Sequence, residues 1–321
     1  MSWQHSRTKQ RALSLKSRAE ALGEKRIGRI KLKQLQVFLG LIVVFLLACV
    51  FSPVRRGEMI FLDAGNLTDI LRQVSEKGIL AVGMTFVILA GGIDLSVGSV
   101  LALAATLSSV MLMRGGYGTP ETIVAVLAAG LLIGAVNAAV ITKGRIQSFI
   151  VTLAMMSAAR GLARLVSGGS GVEIGYGEGG ASPSFAALGG KLGALVPVPA
   201  IIFLAAVAVA WVVLNKTRFG RYVHAVGSNE TASRLSGVSV NAVKFGVFSI
   251  CSLLAALAGI IHCAQLEQGN PNDGVAYELD AIAAVVIGGT SLSGGTGTVV
   301  GTLAGTLIIG IINNLLGLNN V

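Results

Sequence analysis

Long apolar stretches recur along the whole of this 321-residue chain, separated by short polar or Gly-rich segments. About 20 apolar residues suffice for one bilayer crossing. The pattern therefore predicts an all-α polytopic membrane protein with about nine spans. The first is Leu35–Val50. The second begins near Gly78 and ends at Ala90. The next five are Val97–Met113, Thr122–Thr142, Phe149–Val166, Pro197–Leu214 and Phe245–Cys263. The eighth is Leu279–Gly288 and the ninth Thr298–Leu316. Residues 1–33 form a basic tail, 34–321 the membrane domain, and 215–244 its longest polar insertion.

One stretch departs from the pattern. The apolar run 81–90 stops at Gly91-Gly92, and Asp94, Ser96 and Ser99 follow before apolar sequence resumes. From Gly78 to Ala90 is thirteen residues, about 20 Å of helix, against a hydrocarbon core of about 30 Å. This reading treats residues 52–77 as an outer loop and an interfacial helix, and it places the break inside the membrane. Broken helices at that depth are tolerated where they are buried in protein or line a wet cavity. An ionisable residue there marks a candidate functional site.

The pattern recurs. Val87–Ser96 (VILAGGIDLS) matches Ala284–Ser293 (AVVIGGTSLS), 197 residues on. Breaks at corresponding positions of two halves point to a transport pathway at a repeat interface. Asp94 and Ser291 also fall where helix N-caps belong. Capping and a pathway role are compatible, because a half-helix N-terminus offers unpaired N–H groups to a polar solute. The candidate pathway residues are Asp94, Ser96, Ser291, Ser293, Asn137 and Asn313, with interhelical hydrogen bonding the competing role for the asparagines. Glu278 and Asp280 stand at the outer mouth of the eighth span, as caps or as contacts to a solute or partner. Gly297, Gly301 and Gly305 share one face of the ninth span, and Gly130 and Gly134 sit in the fourth. Both sets suit close helix packing.

Composition sharpens the membrane reading. The chain is 53% hydrophobic and 12% charged, with mean hydropathy +0.78, whereas soluble domains carry about 25% charged residues. The net charge of +10 could indicate nucleic acid, but its placement excludes that. Of 25 Lys and Arg, ten lie within 7–33, two flank Gly144, and five lie in 215–244. Such clusters between spans follow the positive-inside pattern, which leaves the C-terminus outside after nine crossings. The basic tail suits membrane lipid with anionic headgroups. Cys49, Cys251 and Cys263 lie in apolar segments as small packers. The three histidines have no metal-ligand spacing, and Gly175-x-Gly177-x-x-Gly180 has no strand before it or helix after it. A Walker A sequence does not occur; Gly190-Lys191 is followed by Leu192.

The insertion 215–244 carries a separate signal. Ser228 or Asn229 can cap a short helix that runs to about Leu235 and ends at Gly237. Its residues Asn229, Glu230, Thr231, Ala232, Ser233 and Arg234 would project inward as a docking element, or as a solvated loop.

Four motifs carry a resemblance: residues 83–99 (GMTFVILAGGIDLSVGS), 217–222 (TRFGRY), 227–230 (GSNE) and 277–289 (YELDAIAAVVIGG). Over roughly residues 60–318 the chain resembles the permease subunits of bacterial ABC sugar importers, the ribose-type group of the branched-chain permease family. The resemblance implies an inner-membrane permease dimer, most simply a homodimer, that translocates a ribose-like monosaccharide. It also implies two cytoplasmic ATPase subunits and a periplasmic sugar-binding protein. Residues 229–236 resemble the coupling helix that docks into the ATPase. The chain itself would be no enzyme and hold no cofactor. Family members have a tenth span after Asn313-Asn314, whereas this chain stops at Val321. The residues by themselves also fit two other function classes: an ion-coupled secondary transporter using Asp94, and a sensor or scaffold without transport.

Overall fold

A computed structural model describes residues 35–55, 58–176, 180–193 and 196–319. The basic tail 1–33 lies outside the described residues. The chain is an all-α membrane protein, with α1 Leu35–Val50, α2 Ala64–Leu89, α3 Val97–Met113, α4 Thr119–Gly144, α5 Ser148–Ser167, α6 Pro183–Gly189, α7 Val198–Lys216, α8 Arg218–Ser228, α9 Glu230–Leu235, α10 Val240–Leu266, α11 Tyr277–Ile287 and α12 Val299–Leu318. Five of them, α4, α5, α7, α10 and α12, are long and apolar enough to cross a membrane.

Helix α10 is the centre of the bundle, packed against α2, α3 and α4. Its apolar window is 78% buried, against 22% for α5. The outward faces of α1, α4, α5 and α7 carry large exposed apolar residues such as Leu39, Val124, Leu165 and Val209, as expected where the solvent is lipid. Gly130 and Gly134 let α4 close onto α10. A Cβ on Gly134 would sit 2.5 Å from Phe248 O and 2.7 Å from Ser249 Cα. Gly301 and Gly305 do the same for α12 against α11, where a Cβ would overlap the carbonyls of Gly288 and Ala284. Gly297 is not part of that stripe. It precedes α12 and packs on Thr290. Cys49, Cys251 and Cys263 are free thiols within the apolar packing.

The structure corrects the second span. Residues 64–89 form one continuous helix, about 39 Å long at 1.5 Å per residue, not an interfacial helix joined to a half-span. Asp69 is exposed, and the three other charges of the helix meet partners. Arg72 donates to Gln265 O at 3.2 Å, Glu76 meets His262, and Lys77 meets Asp280. The connection 168–197 contains α6 and three short strands. Residues 172–173 pair antiparallel with 268–269, and 191–192 with 196–197.

Candidate functional site

The first break is built by its neighbours. Helix α2 ends at Leu89, and Gly91 turns the chain with φ +80°. Gly91 N bonds Ile88 O and Gly92 N bonds Val87 O, both at 2.9 Å, which satisfies the last carbonyls as a Schellman-type end does. The extended backbone beyond is held from α5. Ser148 Oγ accepts from Ile93 N at 3.3 Å, and Thr152 Oγ1 from Leu95 N at 3.1 Å. Ser148 and Thr152 were not singled out in the sequence, although their i, i+4 spacing in the first turn of an apolar helix was the available cue.

The N-cap of α3 is Ser96, not Asp94. Asp94 stands two residues earlier, and its Oδ1 accepts from Ser96 N at 2.9 Å and Ser96 Oγ at 2.6 Å. Asn137 Nδ2 of α4 donates to Ser96 Oγ at 3.2 Å. All three side chains are fully buried. Asp94 Oδ2, Asn137 Oδ1 and the nearby Ser99 Oγ have no hydrogen-bond partner. A carboxyl group in that setting orders the break.

The second break has the same terminal geometry. Gly289 has φ +85°, Gly289 N bonds Val286 O at 2.9 Å, and Thr290 N bonds Val285 O at 3.2 Å. Gly91 therefore corresponds to Gly289, 198 residues on, one more than the sequence match implied. After the turn the two differ. Ser291 is not the N-cap of α12. That role belongs to Thr298, whose Oγ1 accepts from Gly301 N at 3.0 Å. Ser291 Oγ instead accepts from Ser293 N at 3.3 Å within the loop, and Ser293 is exposed. The reason is length. Seven residues separate Leu89 from α3, whereas eleven separate Ile287 from α12, and the longer connection forms its own turn.

The remaining candidates divide between two places. Asn313 and Asp280 line one cleft between α2, α11 and α12, together with Gln73, Lys77 and Thr306. Lys77 Nζ lies 2.6 Å from Asp280 Oδ2 and 4.9 Å from the centre of the Tyr277 ring. The cleft offers about 20 Å³, room for a single water and closed to a sugar in this conformation. Glu278 is not in the cleft. Its Oε2 lies beside Gly98 of α3. Asn314 is an interhelical pair, Nδ2 to Asn66 Oδ1 at 2.8 Å.

Helix α9 has the cap expected of it, with Asn229 Oδ1 accepting from Ala232 N at 2.9 Å. The preceding α8 was not anticipated. Its N-cap is Thr217, with Val223 and Val226 buried and Arg218, Arg221 and Tyr222 exposed. Glu230 is ion-paired to Lys244 at 2.8 Å and to Arg234 at 3.1 Å. The Lys244 ammonium holds the Glu230 carboxyl below its ordinary range. Leu235 is 85% exposed, an apolar side chain presented at the tip. Beside α9, a cavity of about 370 Å³ reaches Gly91, Gly92, Ser148 and Leu292.

A second cluster went unforeseen. His262 of α10 lies between Glu76 Oε2 at 2.8 Å and Asp273 Oδ2 at 3.1 Å. The Nε2 contact lacks hydrogen-bond geometry and is electrostatic. The three residues lie far apart in sequence, and only the fold joins them.

Glycine-turned helix breaks, a polar cleft among apolar spans and a capped helix projecting from one end are features that a membrane permease would use. Residues 66–319 match the family model described as branched-chain amino acid transport system / permease component, and the chain belongs to that family. It is 46% identical to the ribose import permease protein RbsC of Escherichia coli, over 88% of this chain and 86% of the relative. It is 43% identical to RbsC of Bacillus subtilis, over 90% and 87%. It is also 34% identical to the xylose transport system permease protein XylH of Escherichia coli, over 91% and 88%. No solved structure matches the chain.

Proposed function

We propose that this chain is the permease subunit of an ATP-driven importer that carries a ribose-like monosaccharide across a bacterial inner membrane. Similarity to ribose import permeases over nearly nine-tenths of the chain carries the solute class. The subunit crosses the membrane nine times over residues 35–319, with 143–145 and 215–244 on the cytoplasmic side, as the positive-inside pattern asks. The two broken helices form the internal repeat of a transport fold. ATP is hydrolysed by separate cytoplasmic subunits, and a periplasmic protein delivers the sugar. Two permease subunits, most simply copies of one chain, enclose the path.

In this reading the sugar passes along the cleft of α2, α11 and α12, where Gln73, Lys77, Asp280, Thr306 and Asn313 supply hydrogen-bonding groups. The Lys77–Asp280 pair stands at its mouth. Asp94, Ser96 and Asn137 act by holding the first break in shape, and Ser291 and Ser293 shape the second. Helix α9, residues 230–235 with its cap Asn229, docks into the ATPase, presenting Glu230, Thr231, Ala232 and Arg234 around the exposed Leu235, whereas Ser233, expected on that face, is buried and donates its hydroxyl to Asn229 O at 2.8 Å. The family assignment gives no support to an ion-coupled transporter or a non-transporting sensor.

The test is purification from membranes in mild detergent, with this chain as bait. Wild type should bring down a P-loop ATPase subunit. Glu230→Arg, which reverses the charge between Lys244 and Arg234, should insert normally and lose most of that subunit along with ribose uptake. Unchanged co-purification and uptake in the variant would remove α9 from the docking role.

A further inference from the structure

Three distant backbone segments meet beneath the two breaks. Gly295 N donates to Leu89 O at 2.9 Å, so the loop after the second break caps the helix that ends at the first. Gly227, in the last turn of α8, lies against both. A Cβ there would overlap Leu89 O and would come within 2.6 Å of Gly295 N. Gly294, with φ +82°, faces Gly227 and Gly91 in turn, where a Cβ would lie 3.0 Å from Gly227 Cα and 3.0 Å from Gly91 N. One turn earlier on α8, His224 Nδ1 lies 3.2 Å from Gly295 O. A carbonyl can only accept, so Nδ1 carries the proton. Both backbone groups of Gly295 are therefore committed, the N–H to α2 and the C=O to α8.

Helix α9 begins at Glu230, and Asn229 alone separates it from α8. A displacement of α9 has almost no slack before it reaches Gly227. We infer that the Gly227–Gly295–Leu89 contact is the joint through which α9 moves both broken helices at once, with His224 as the positioning residue that keeps the second break engaged. This inference rests on the docking role of α9. The two breaks then shift as one body, and not in succession.

The assay uses the complete transporter in liposomes, with its ATPase and binding-protein subunits and ribose as the probe. Uptake and ATP hydrolysis are measured in parallel. His224→Ala leaves α9 and its docking face intact, so co-purification of the ATPase and sugar-stimulated hydrolysis should persist. Ribose moved per ATP should fall about fivefold, the worth of one hydrogen bond. His224→Asn, whose amide nitrogen occupies the place of Nδ1, should restore the ratio. Gly227→Ala should abolish uptake. Because that variant can also misfold, His224→Ala carries the decision. A wild-type ratio of transport to hydrolysis in His224→Ala overturns the joint, as does failure of Asn to rescue a lowered ratio. Loss of ATPase binding in Glu230→Arg with a normal His224→Ala ratio would retain docking and reject the joint. Unchanged ATPase binding in Glu230→Arg would reject the docking role on which the joint rests.

Discussion

Replacing His262 should be among the most damaging single changes to this protein. Its two ring nitrogens face two carboxylates, at 2.8 and 3.1 Å, and the three side chains are only 6%, 9% and 19% exposed. Only the Nδ1 contact to Glu76 has hydrogen-bond geometry, and the Nε2 side faces Asp273 through space. His262→Leu removes the ring that meets both and leaves a buried Glu76 and a half-buried Asp273 without it. Breaking a buried ion pair from one side costs about 3–5 kcal/mol. At about 2–4 °C per kcal/mol for a chain of this size, the melting temperature should fall by roughly 6–20 °C. The assay is thermal unfolding in detergent, read by a thiol-reactive dye, because Cys251 and Cys263 are buried at 1% and 0% exposure and react only once the bundle opens. Adding Glu76→Leu should recover part of the loss, since it removes a stranded charge. A fall of less than about 2 °C in the single variant would refute the argument. So would a double variant as low as the sum of the two single changes, since that would mean packing and not charge set the cost.

Two further substitutions separate roles that the geometry leaves superposed. Asp94→Asn keeps an acceptor for Ser96 N and Oγ and should melt within about 2 °C of wild type, whereas Asp94→Leu strands both donors at about 1–3 kcal/mol each. Loss of ribose uptake in Asp94→Asn with an unchanged melting temperature would show that the charge itself serves transport. Gly134→Val drives a side chain into the α10 backbone and should destabilise by at least about 1–3 kcal/mol. Gly161→Ala, with nothing within 4 Å of the new methyl, should instead stabilise by up to about 1 kcal/mol. The same thermal assay reads both.

How much of this was legible in the sequence depends on whether the signal was local. Val97–Met113 was readable to the residue, because its apolar block is bounded by Ser96 and Arg114. Helix α9 was readable from its cap and its terminal Gly237. Helix α2 was misread because Arg72, Glu76 and Lys77 argue against a buried helix unless their partners are known. Those partners lie about 190–200 positions away, at Gln265, His262 and Asp280. The cap of α12 was misplaced because a repeat read letter by letter carries no information on loop length, and the second connection is longer. Asn313 and Asp280 were singled out separately. That they line one cleft, with Gln73 and Thr306, depends on three helices crossing.

The central position of α10 also bears on how the protein is made. Close to 100 residues separate the end of α4 from the start of α10. At about 5–20 residues per second that is roughly 5–20 seconds of synthesis. Over that interval the notch at Gly130 and Gly134, the inward face of α3 and Glu76 are already in the membrane without the helix that covers them. The nascent chain is at its most vulnerable to membrane proteases and mispairing then. A ribosome that stalls before residue 240 leaves a fragment whose polar interior has nothing to close it.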